Sequence, residues 1–181
     1  MKPGRSDSKN LLSEWIENDN LRHHCEMVAM AMEAYAKRLN KSDEVIDEWW
    51  TAGLLHDLDW EKYPDQHPNK AVNDVLPELG YPDTVIDAIK AHAPERTGKE
   101  PETEIERYLF ACDELSGFMN AVALMRPNKF SDMKVKSVKK KLKDKRFAEN
   151  VPREDILKGA DLIDQNLSDH IQNLISVFKE L

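Results

Sequence analysis

Cysteine is scarce in this chain: two in 181 residues, Cys25 and Cys112. Each stands alone inside an apolar helical pattern. No disulfide framework is expected, both thiols read as small buried hydrophobes, and a reducing, cytoplasmic setting fits. Long apolar runs are missing too. Nothing is long enough to span a bilayer, and the polar stretch from Met1 to Asn10 lacks the apolar centre of a signal peptide, so no membrane partner is expected. Positive charge is in deficit. The formal net charge of −8 removes any global attraction to nucleic acid or anionic lipid. Strand-type alternation and internal repeats are also absent. What remains is an ordinary globular composition, 40% hydrophobic and 33% charged, at a length that suits one domain with a substantial core.

Almost every segment has a helical period. Leu11, Leu12, Trp15 and Ile16 mark a helix over Ser8 to Glu17. Leu21, His24, Val28, Ala31 and Tyr35 repeat at three and four residues over Asn20 to Leu39. Ser42 and Asp43 are cap residues for a third helix that ends near Asp57 to Asp59. Ala71 to Leu79 forms a fourth, stopped by Gly80 and Pro82, with Pro77 as a kink point. A fifth runs from Asp83 to His92, broken at Pro94, and Glu95 to Pro101 reads as a loop. A long helix covers Glu102 to Arg126. Lys134 to Lys145 is helical and basic, and one last long helix is expected from Arg153 to Lys179. The fold class is all-α, a helical bundle in a single domain, 1–181. Trp49 and Trp50 are expected in the core; exposed, they would mark a face for a homo-oligomer.

Several polar residues sit where apolar ones are expected. Asp113 continues the stripe of Ile105, Leu109 and Cys112. A carboxylate on such a face is costly unless it is paired or ligates a metal, and Glu114 beside it reads as the exposed neighbour. His24 lies on the apolar stripe of its helix. His56 and Asp57 close the next one. A histidine in a last turn is favoured by the helix dipole, but an aspartate there is not, and a bound cation would resolve the conflict. Adjacent helical residues point roughly 100° apart, so these two can share an ion only if it sits against the helix side between them. Imidazole with carboxylate suits borderline divalent metals such as Mn, Fe, Co, Ni or Zn. Such ions lower the pKa of water and offset phosphoryl charge, and a pair roughly 3.5–4 Å apart does both.

An early helical histidine, a His-Asp doublet one helix later and a distant Asp resemble the HD-domain superfamily of metal-dependent phosphohydrolases. Leu54-Leu55-His56-Asp57-Leu58-Asp59 looks like the family's core motif. Leu79 to Pro82 with Ala88 to His92 resembles its next segment. Ala111 to Gly117 resembles its closing aspartate motif. The likeness covers an HD-like core at 20–126, leaving 127–181 as a C-terminal helical extension. His24-Cys25-Glu26-Met27-Val28-Ala29 fits the frame of the first ligand, and His23 reads as its neighbour. The resemblance implies one or two divalent ions, Mg included, held by His24, His56, Asp57 and Asp113. His67 and His92 match the places of the second pair in two-metal members. It implies catalytic roles for Asp57 and Asp59, with Glu61 a further acid–base candidate. The implied activity is hydrolysis of a small phosphorylated substrate, such as a nucleotide. A non-catalytic metal- or nucleotide-binding sensor and a di-iron oxygenase are the competing activities on this fold.

From Lys129 to Arg146 nine Lys or Arg face two acids. With that segment at +7 and the chain at −8, the remainder carries −15. A solvated helix face is the plain reading. The functional one is a cationic wall for a phosphorylated substrate, with Arg126 and Lys140 as contacts. Nucleic acid is not an expected partner, because interleaved aromatics are missing.

Overall fold

The computed structural model describes residues 2–179 and 181, and it is 68% helical, with no strand among the described residues. Ten α-helices follow in order: α1 (Arg5–Trp15), α2 (Asp19–Arg38), α3 (Asp43–Leu55), α4 (Leu76–Glu78), α5 (Asp83–His92), α6 (Pro94–Thr97), α7 (Glu104–Leu124), α8 (Val135–Leu142), α9 (Arg153–Leu162) and α10 (Leu167–Phe178). Caps set several boundaries. The Asn18 side chain accepts from the backbone N–H groups of Asn20 and Leu21 to start α2. Thr103 and Glu106 form a capping box at α7. Pro77 does not break its segment. A π-helical turn at Ala71–Val75 runs into α4 instead.

One hydrophobic cluster draws residues from every helix except α6. Helix α7 is buried around most of its circumference, from Ile105 to Ala123, as a helix with neighbours on every side must be. It packs on α2, α3, α5, α8 and α9. Helices α2 and α3 share the most extensive helix contact. Gly53 permits this, since a Cβ there would lie 2.8 Å from Ala29 Cα. Trp49 and Trp50 are both buried. No helix is long and apolar enough to cross a membrane among the described residues.

Two expectations need correction. The segment 95–101 is not all loop: Pro94–Thr97 forms the short α6. The last helix is two. Asp164 takes a left-handed φ of 53°, which ends α9, and the Asn166 side chain accepts from the Asp169 N–H to start α10. The break turns Ile171, Leu174, Ile175 and Phe178 onto the core. It also buries His170, whose Nε2–H donates to Ala111 O at 2.8 Å while the Tyr35 hydroxyl donates to Nδ1 at 2.6 Å.

Burial pushes the His170 imidazole down to about 4. Its folded pKa is depressed, so its stabilising contribution is complete above the unfolded value near 6.5 and is lost as pH falls toward 4. The loss is about 3 kcal/mol across that window. Wild type and His170→Gln should therefore differ in urea unfolding by about 3 kcal/mol less at pH 4 than at pH 7. A constant gap would contradict the assignment.

Candidate metal centre

The C-terminal ends of α3 and α5, a 3₁₀ turn and the bodies of α2 and α7 meet at one cleft. His24 comes from the first half of α2, His56 and Asp57 from the turn that closes α3, and Asp113 from the middle of α7. His24 Nε2 lies 3.2 Å from His56 Nε2 and 3.0 Å from Asp113 Oδ1, and His56 Nε2 is 3.3 Å from the same oxygen. His67, after a 3₁₀ turn at Pro64–Gln66, and His92, at the end of α5, bring their Nε2 atoms to 3.2 Å of each other. Asp57 stands between the groups. Its Oδ2 is 3.4 Å from His56 Nε2 and 3.8 Å from His24 Nε2, and its Oδ1 is 3.4 Å from His67 Nε2 and 3.8 Å from His92 Nε2. His56, His24 and Asp113 thus form one group of three side chains that could hold a metal ion, and Asp57, His67 and His92 a second. His56 and Asp57 turn their side chains to the same side of the α3 terminus, 3.4 Å apart, although they fall in different groups.

The outer nitrogens explain why the inner ones point inward. His56 Nδ1–H donates to Gly53 O at 2.8 Å, and His92 Nδ1–H donates to Ile89 O at 2.5 Å. His67 Nδ1–H donates to Asp59 Oδ1 at 2.7 Å. A carbonyl can only accept, so each of these rings, when neutral, carries its proton outside and a bare lone pair inside. Burial pushes His92 down to about 4, which keeps it neutral at pH 7. Burial by itself would raise Asp57 and Asp113. His56 beside both outweighs that and holds their carboxyls well below the usual carboxylate range. Burial by itself would lower His56, but Asp57 and Asp113 in turn raise it well above the ordinary histidine range, so without metal it carries the inner proton that a divalent ion would replace, and this donor set fits divalent metal.

Several predicted residues do other work. Asp59 is fully buried and does not face the cleft. Its oxygens accept from His67 Nδ1–H and from the Ala71 backbone N–H at 2.8 Å, so it orients a ligand and is not placed to exchange protons with substrate. Asp59→Asn offers His67 a donor instead and favours the wrong tautomer. Metal affinity should drop about 10–100-fold, read by titration against a chelating dye, with the helical signal kept. Glu61 caps the α1–α2 link, accepting from the N–H groups of Glu17 and Asn18. Arg126 and Lys140 are not in the cleft. Arg126 is bonded to Asp132 at 2.7 Å, and Lys140 is exposed on a separate shallow groove with Lys136, Lys139 and Lys143. The basic segment faces solvent there because Val138 is the buried residue of α8. His23 belongs to neither ligand group.

The cleft itself has a volume of about 310 Å³. Beyond the ligands, its lining includes Trp60, Glu95, Arg96, Glu114, Asn150 and Asp155. Glu114 is therefore not an outward-facing neighbour of Asp113. Burial and the Asp113 charge push its carboxyl up to about 8. None of these six carries a local signal in the chain, because α6, α7 and α9 bring them together only by packing.

The HD domain family model matches residues 21–117. No curated protein and no solved structure matches the chain. The match spans more than half the sequence, and all six convergent residues, from His24 to Asp113, lie inside it. The chain belongs to the HD domain family.

Proposed function

We propose that this protein is a metal-dependent phosphohydrolase acting on a small phosphorylated molecule, with two divalent ions. The observation that carries this reading is Asp57 standing between two groups of potential ligands, with the outer nitrogens of His56, His67 and His92 each held by an acceptor. His24, His56 and Asp113 would hold one ion, His67 and His92 the other, and Asp57 would face both. Ions in those places supply charge for a phosphoryl oxygen and lower the pKa of a water. The chain's own part is positioning. Gly53 O, Ile89 O and Asp59 fix three ring orientations, so no reorganisation is needed when the ligands engage. The cleft volume suits a small molecule. Water attacks phosphorus, the ester P–O bond breaks, and the leaving oxygen takes its proton from solvent in the open cleft.

The test is phosphate release from a panel of sugar phosphates and nucleotides with Mn²⁺, Co²⁺, Ni²⁺ or Mg²⁺, with elemental analysis of the purified protein. Release that is lost on chelation and regained with metal supports the reading. Metal-independent release, or none across the panel with metal bound, counts against it.

A further inference from the structure

We infer that Arg96 is the side chain that receives the phosphoryl group of the substrate, through the guanidinium edge formed by Nε–H and Nη2–H. This deepens the phosphohydrolase reading above and rests on it.

A phosphorylated molecule calls for cationic partners, and the basic segment does not supply them here, because its lysines do not line the cleft. Among the described residues that line it, Arg96 is the only Lys or Arg. Its backbone is held in place. Arg96 O accepts from the Asn69 side-chain amide at 3.2 Å, Arg96 N–H donates to Ala93 O at 3.0 Å, and the Thr97 hydroxyl donates to Lys90 O at 2.8 Å. Its side chain is held at one corner. Nη1 donates to Pro64 O at 2.9 Å and to His67 O at 3.1 Å, and the guanidinium lies 5.4 Å over the Trp60 ring. Trp60 meets the His67 imidazole edge to face, with centroids 4.9 Å apart. These contacts set the cation beside the group of Asp57, His67 and His92.

What the anchors leave over is the useful part. Both carbonyls take Nη1, so Nε–H and Nη2–H make no hydrogen bond among the described residues. Those two N–H groups run side by side, the pair that matches two oxygens of one phosphoryl group. A guanidinium already fixed by two carbonyls and a ring gives up little side-chain freedom when it binds. The one acid within ion-pair range is Glu95, whose Oε1 stands 4.0 Å from Nε, beyond hydrogen-bond reach, on a side chain that is 71% exposed. So exposed a pair contributes little, and a phosphoryl dianion would displace it.

The competing role for Arg96 is a prop for the loop that carries His67, and the two roles differ in what they do to metal. Isothermal titration of the Mn²⁺-loaded protein with inorganic phosphate, beside a Mn²⁺ titration of each variant, separates them. Arg96→Lys keeps the charge but loses the fork, so phosphate should bind at least about tenfold more weakly, with Mn²⁺ affinity within about twofold of wild type. Glu95→Gln should tighten phosphate binding at least about twofold, and that gain should vanish in an Arg96→Gln background. A prop would move metal and phosphate together and would leave the Glu95→Gln effect independent of Arg96. Unchanged phosphate affinity in Arg96→Lys, a loss matched by lost metal, or a Glu95→Gln gain that survives without Arg96 overturns the inference. Failure of inorganic phosphate to bind the Mn²⁺-loaded wild type strikes the phosphohydrolase reading and removes the inference with it. Phosphate binding that is indifferent to Arg96 removes only the inference.

Discussion

Asp57→Ala should empty both halves of the centre at once. Bound divalent metal should fall below about a tenth of the wild-type content, and phosphate release by at least about 10³-fold, a barrier increase of roughly 4 kcal/mol. The reason is geometric. Asp57 Oδ2 faces His56 and His24 while Oδ1 faces His67 and His92, so no other single residue serves both groups. His92→Ala is the informative partner. It removes one ligand of the second group and leaves His24, His56, Asp113 and Asp57 in place, so about half the metal should remain. Elemental analysis after gel filtration reads both variants, and circular dichroism checks that the helices persist. If Asp57→Ala retains metal and activity together, the site has been placed wrongly.

Gly53→Ala should be among the most destabilising single-methyl changes in the chain, at about 3 kcal/mol in urea unfolding. Its Cβ would meet only backbone: Ala29 Cα at 2.8 Å, with Ala29 N and Val28 C at 2.9 Å. Backbone cannot rotate away as a flexible side chain can, so α2 and α3 must separate. That movement carries a functional cost as well. His24 rides on α2 and His56 on the end of α3, with their Nε2 atoms 3.2 Å apart, and Gly53 O accepts the His56 Nδ1–H. Metal affinity should fall with stability. Gly80→Ala is the control. Gly80 has a φ of 78° and open space around it, so it bears conformational strain alone, about 1 kcal/mol, with metal binding unaffected. Equal losses for the two variants would mean that the helix contact is not what Gly53 serves.

The two glycines show where reading the chain worked and where it stopped. Gly80, followed by Pro82, is a local stop signal, and the helix does end there. Gly53 lies inside a helical pattern with nothing around it to mark a contact, since the residues it must admit, Val28 and Ala29, are some 24 positions earlier. The candidate metal ligands were legible for a different reason. His24, Asp57 and Asp113 each break a local rule: a polar group on an apolar stripe, or a negative charge at a helix C-terminus. A broken local rule is visible without knowing the partner. Asp59 broke none, and its place after the doublet suggested acid–base work. Burial and the His67 bond turned it into a support instead.

The all-α class and four of the converging residues, His24, His56, Asp57 and Asp113, could be read from periodicity, caps and misplaced charge, because those depend on neighbours within a few residues along one helix, whereas His67 and His92 were implied only by the family resemblance. The place of Asp57 between two groups of side chains, the outer hydrogen bonds of His56, His67 and His92, and the cleft lining of Glu95, Glu114, Asn150 and Asp155 could not. Each depends on groups from different helices meeting in space. The lysine-rich segment shows the same limit in reverse. Its charge pattern suggested a substrate wall, yet burying Val138 turned the cations of α8 to solvent, away from the cleft. Side-chain chemistry is local, but the face of the cleft it reaches is set by the packing of α6, α7 and α9.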